Sequence, residues 1–134
     1  MDEQLITTVE ELNKHVGEYI VCFYYKDYTK EYNDNFLRPY DEDNVKFMWM
    51  FKLTRKIDAT SNSSIRHTDL YGDNFVCLID KQHKDKKPPY LIKGEGSGNA
   101  QSYAKLPTKE ELNKYRNVMR HIRIFGEWKK YIQY

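Results

Sequence analysis

Two cysteines, four prolines, six glycines and two tryptophans are all that this 134-residue chain contains of those types, and alanine is scarce as well. The cysteines, Cys22 and Cys77, each stand within an apolar strand-like run, which excludes a disulfide framework and predicts two buried, reduced thiols. Together with His15, His67, His83 and His121 they form no zinc-ligand spacing, so no metal is expected. No run approaches the roughly 20 apolar residues of a membrane span. No basic start leads into an apolar leader, and the sequence therefore predicts a cytoplasmic chain without a membrane partner. Asn62-Ser63-Ser64 fits a glycosylation acceptor, which has no meaning without secretion. The glycines build neither G-x-x-x-x-G-K-[ST] nor G-x-G-x-x-G, and Gly94-Glu95-Gly96-Ser97-Gly98 carries a glutamate that repels phosphate. It reads as a turn, and no cofactor is expected.

Tyrosine is what the chain has in excess, 12 residues among 20 aromatics. A ring with a polar tip suits half-buried sheet faces and binding surfaces equally. The net charge of +2 is unevenly spread: Met1 to His67 holds nine Lys and Arg against twelve Asp and Glu, and Thr68 to Tyr134 thirteen against eight. Such a dipolar molecule steers toward a polyanion through its second half. The length fits a single domain spanning residues 1–134.

The best-defined element lies between Pro107 and Phe125. Thr108 and Glu111 form a capping box, each side chain covering a backbone N–H that the first helical turn leaves unpaired. Leu112, Tyr115, Val118, Met119 and Ile122 recur at three- and four-residue steps and must pack against something. Gly126 supplies the left-handed stop. A second, shorter helix is expected from Val9 to Val16, with Thr8 and Glu11 as its capping box, Gly17 as its stop, and Val9, Leu12 and Val16 as its apolar face.

Strands are expected from Glu18 to Tyr28, apolar on both faces and therefore central, and from Val45 to Ile57. In the latter, Val45, Phe47, Trp49, Phe51 and Leu53 form the core side. Lys46, Met48, Met50 and Lys52 form the opposite side, a face suited to a protein partner. Thr29 to Asn44 is an acidic loop. Gly72-Asp73 suggests a two-residue hairpin joining Ile65–Tyr71 to Asn74–Asp80, with His67, Asp69 and Tyr71 on its outer face. Residues 81–89 form an exposed basic loop, Tyr90 to Lys93 a last short strand, and residues 127–134 an aromatic and basic tail. The fold class is α+β: an antiparallel sheet of four to five strands packed by the C-terminal helix, with the short N-terminal helix at an edge.

Lys109, Arg116, Arg120 and Arg123 line one flank of the long helix over about 20 Å, at 1.5 Å per residue. With Lys84, Lys86 and Lys87 of the loop and Trp128, Lys129 and Lys130 of the tail they form the expected binding surface, cations for phosphates and an aromatic for stacking. A solvated helix flank and loop would carry the same residues. The expectation is a small non-enzymatic binding or regulatory protein whose partner is nucleic acid or an acidic protein surface. Richness in Lys, Asn, Tyr and Ile is the style of AT-rich genomes, phages among them, and fits an accessory or inhibitory factor. The alternatives are a phosphoesterase or nucleotide-processing enzyme using His67 and Asp69, with Tyr71 next in line, and a structural subunit of an assembly.

Overall fold

A computed structural model describes residues 5–25, 40–57, 65–66, 72–92 and 101–126. The chain forms β1 (Leu5–Ile6), α1 (Val9–Asn13), β2 (Tyr19–Tyr25), β3 (Val45–Leu53), β4 (Ile65–Arg66), β5 (Gly72–Asp80), β6 (Tyr90–Leu91), β7 (Gln101–Lys105) and α2 (Lys109–Phe125). The strands make one antiparallel sheet in the order β1-β7-β2-β3-β5-β6, and β4 pairs with the first half of β7 beside β1. This is the α+β domain expected from the sequence, with more strands.

The sheet separates two apolar layers. On one side Ile20, Cys22, Trp49, Phe51 and Leu53 meet Val9 and Leu12 of α1. On the other, Val21, Phe23, Tyr25, Met48, Met50, Val76 and Tyr103 meet Tyr115 and Val118 of α2. Both faces of β2 are thus covered, as its unbroken apolar run requires.

The sequence misplaces four features of this sheet. Met48 and Met50 are not an open face: they are 1% and 0% exposed, beneath α2, so the face expected to meet a partner is core. Strand alternation assigns residues to opposite faces without saying which is wet, and Lys46 and Lys52 gave the wrong cue. Val45 changes side as well. Tyr24 opposes Phe47 whereas Tyr25 opposes Val45, so Lys46 is an extra residue in β3 that turns Val45 toward the α2 layer.

The expected hairpin at Gly72-Asp73 does not form. Both residues belong to β5 and pair with β3, Gly72 with Leu53 and Asp73 with Lys52, while Ile65 pairs with Ser102. Gly72 is there because of close approach: a Cβ at this position would collide with the Phe51 ring and the Lys52 carbonyl. Asn74, at φ 53°, supplies the left-handed residue of a bulge two positions further on. The last strand expected from the sequence is Tyr90 to Lys93; β7 lies beyond it and is an interior strand flanked by β2 and by β1 with β4.

α2 starts and ends as expected. Thr108 Oγ1 accepts from the Glu111 amide at 3.1 Å, Glu111 Oε1 accepts from the Thr108 amide at 2.8 Å, and Gly126 closes the helix at φ 81°. α1 is shorter than expected. Thr8 caps it at 3.3 Å, but Glu11 turns to Lys14 at 3.2 Å, the helix ends at Asn13, and Val16 lies 38% exposed.

Candidate binding surface

α2 is positioned from both ends of its buried stripe. At the N-terminal end, Lys105, the last residue of β7 and 0% exposed, reaches Glu111 Oε1 at 2.6 Å. Halfway along, the Tyr115 hydroxyl donates to the Asn74 carbonyl of β5 at 3.0 Å, and its ring lies 5.2 Å from that of Tyr19. The helix therefore reaches from β7 over the sheet to β5, and its rotation about its own axis is fixed.

That rotation decides what faces solvent. Lys109, Arg116, Arg120 and Arg123 are all exposed, and at 100° per residue they fall within a sector of about 60°. None forms an ion pair with a carboxylate among the described residues; the helix's own surface pair, Lys114 with Glu110 at 3.6 Å, lies on the opposite flank. Arg123 also stands in the last turn, where the carbonyl end of the helix favours a cation. Beyond it Ile124 and Phe125 are 60% and 65% exposed.

The second group of expected site residues lies elsewhere. Lys84, Lys86 and Lys87 are exposed in the loop from β5 to β6, which begins seven residues after the Asn74 contact, about 23 Å of strand further along. Trp128, Lys129 and Lys130, and likewise His67, Asp69 and Tyr71, lie outside the described residues. Among the described residues no three His, Cys, Asp or Glu side chains gather as a metal site.

The loop contains a cluster that sequence reasoning missed. The Asp80 side chain, 0% exposed, accepts from the Gln82 amide at 2.9 Å, the His83 amide at 3.0 Å and the Tyr90 hydroxyl, and its Oδ2 lies 2.9 Å from His83 Nδ1. Tyr24 on β2 donates to Gln82 Oε1 at 2.7 Å and stacks on Phe47 at 5.8 Å. Lys86 Nζ stands 5.4 Å from the centre of the Tyr90 ring, and Lys81 Nζ donates to the Asp43 carbonyl at 3.1 Å. Burial pushes the Asp80 carboxyl up, but the hydrogen bonds from Tyr90 and His83 outweigh it and leave its pKa below the usual carboxylate value. Burial, with Asp80 as acceptor, raises the Tyr90 phenol, and burial with the Asp80 charge takes Tyr24 to about 12. The signal available in the sequence was an Asp at a strand end with His three residues on, a local turn that side-chain hydrogen bonding favours. Tyr90 is brought in only by the pairing of β6 with β5, Tyr90 opposite Cys77.

The fold and this surface define the chain as a single-sheet α+β domain with one cationic helix flank. No protein-family model matches it, and no curated protein or solved structure does either. Among the described residues no helix is long and apolar enough to cross a membrane.

Proposed function

We propose that this chain is a small non-catalytic binding protein whose α2 flank grips a polyanion, with nucleic acid as the partner. The observation that carries the reading is the row Lys109, Arg116, Arg120 and Arg123, fully presented by a helix whose rotation is fixed and without a carboxylate counterpart among the described residues. Phosphates at regular spacing along a strand are the ligand such a row fits, because each neutralised phosphate releases a condensed counterion. A cytoplasmic site of action and a regulatory or accessory role, in a phage or another AT-rich genome, belong to the same proposal. Composition alone supports the latter.

The test is binding of labelled single- and double-stranded oligonucleotides across a salt series. Affinity should fall linearly in log–log form by about 0.9 per phosphate contacted on duplex and about 0.7 on single strands. Changing Arg116, Arg120 and Arg123 together to Glu should abolish most of the affinity and the corresponding part of the slope. Binding left unchanged by that triple substitution would reduce the flank to ordinary surface. A flat salt response would point to a protein partner.

A further inference from the structure

We infer that the partner of the α2 flank is double-stranded DNA and that α2 reads it from the major groove, with Asn113 and Asn117 on adenine edges; this rests on the flank reading above. The placement follows from the rotation that the Lys105 and Tyr115 contacts fix. Taken at 100° per residue, Glu111, Tyr115, Val118 and Ile122 centre the covered side of the helix, and the diametrically opposite line falls beside Asn113. Asn113, Asn117, Arg120 and Ile124 occupy about 60° around that crest, and all four are exposed. Lys109, Arg116 and Arg123 border the crest on one side and Lys114 borders it on the other. The outward half of α2 is therefore a ridge of amides and a guanidinium with cations along both margins. Glu110, the one carboxylate on that half, stands in the first turn, and its 3.6 Å contact with Lys114 is an exposed pair that leaves the ammonium accessible. On the sheet side Tyr115 and Val118 are 3% and 0% exposed but Phe125 is 65% exposed, so the last turn runs past the sheet and stands clear of it.

The chemistry of the ridge selects the duplex. The major groove of B-form DNA, about 12 Å wide, admits one helix and shows the N7 acceptor and N6 amino donor of adenine side by side. A carboxamide carries an acceptor and two donors in one plane, and so meets both atoms at once. Asn113 and Asn117 are separated by about 6 Å of helix rise, close to two base steps of about 3.4 Å. They address two bases along one groove. Ile124 supplies the apolar contact that a thymine methyl takes, and the margins take phosphates, Arg116 and Arg123 on one strand and Lys114 on the other. A single strand would need aromatic platforms between the cations. The outward half of α2 has none, and its exposed aromatic, Phe125, lies on the sheet side, away from the cationic row. Double-stranded RNA fits no better, because its major groove is too deep and narrow for side chains to read.

The test uses the full chain and a selection from randomised duplex DNA, after which the enriched duplex, a shuffled duplex of the same composition and one enriched strand alone are compared across a salt series. The enriched duplex should contain adenines at two nearby positions and bind more tightly than the other two. Asn113→Ala and Asn117→Ala should each weaken the enriched duplex by about tenfold, leave the shuffled duplex as it was, and leave the salt slope unchanged. Replacing the contacted adenine by 7-deazaadenine, which lacks the N7 acceptor, should weaken the native chain and make no further difference to the matching alanine variant. Enrichment of no sequence, tighter binding of the single strand, or equal losses on both duplexes in the asparagine variants overturns this inference. The flank reading then still stands if the Arg116, Arg120, Arg123 triple variant loses affinity and slope. If the triple variant binds all three DNAs like the native chain, the flank reading itself has failed and this inference falls with it.

Discussion

Lys105 Nζ and Glu111 Oε1 lie 2.6 Å apart inside the domain, and this contact joins the last residue of β7 to the first turn of α2. The same carboxylate oxygen closes the capping box by accepting from the Thr108 amide. One atom therefore fixes both where the helix begins and which strand it begins over. Lys105 Nζ also stands 5.0 Å from the centre of the Tyr40 ring, so its charge is held between a carboxylate and an aromatic face.

Removing one member of that pair strands the other. Lys105→Met should cost about 3–5 kcal/mol, the loss typical when a buried charge keeps its place without its partner. Joining it with Glu111→Leu should recover part of that loss, because a desolvated pair replaced by apolar groups is close to neutral. Urea denaturation of the two single variants and the double variant checks the sign of the coupling. Additive losses would mean that the pair does not act as a unit.

Both thiols should be silent in the native protein. Cys22 and Cys77 are 0% exposed, and burial raises each, Cys77 to about 12. A thiol reagent at pH 8 should find no cysteine until denaturant is added, then two. Because the folded values lie above the unfolded ones, these groups stabilise the fold fully below the ordinary thiol value and lose that contribution as pH rises. Stability should decline from about pH 9, at up to about 1.4 kcal/mol per pH unit for Cys22. The decline should steepen above pH 10, where Tyr24 and Tyr90, raised by burial, join. Thermal melts of Cys22→Val should show the first part of that decline at about half the slope, with Cys77 alone remaining.

Asp80 predicts the opposite limb. Its folded value is lowered, so its stabilisation is complete above the ordinary carboxylate value and disappears as pH falls through the lowered one. Asp80→Asn should melt earlier than the native chain at pH 7 and be less sensitive to acid. Backbone amide exchange at Gln82 and His83 should accelerate in the variant, since their acceptor is weakened. Unchanged exchange would remove Asp80 as the anchor of the loop.

Gly72→Ala should destabilise by about 1–3 kcal/mol, the usual cost of forcing a carbon into a packed site, because the new methyl meets the Phe51 ring and the Lys52 carbonyl. Met50→Lys should be worse, burying an unpaired ammonium beneath α2. Had Met50 lain on a wet sheet face, the lysine would have been tolerated. Equilibrium unfolding of the two variants separates these cases.

What the sequence revealed divides along the range of the forces involved. The limits of α2 were legible because Thr108, Glu111 and Gly126 act within one turn of the residues they cap. Its cationic flank followed from the same periodicity, and the structure leaves those side chains exposed. Sheet partners were not legible. Gly72-Asp73 has the composition of a tight turn, and only the proximity of Phe51 shows why the glycine is there. The extra residue at Lys46 is invisible until β2 is laid beside β3, and Met48 and Met50 could be placed only once α2 was known to cover them. The Asp80 cluster needed β6 to return to β5 before Tyr90 could reach the carboxylate.

The place of β7 between β2 and β1 also sets an order of events during synthesis. β2 obtains β3 as a neighbour within some thirty residues, but its other edge faces Tyr103, Ala104 and Lys105, about eighty residues further along. Until that strand emerges, a growing chain carries an apolar ribbon with one side of its backbone unsatisfied, and closure across so long a loop is slow. The halves of this protein cannot mature one after the other, and the emerging first half depends on the cell to keep its open edge from pairing with a stranger.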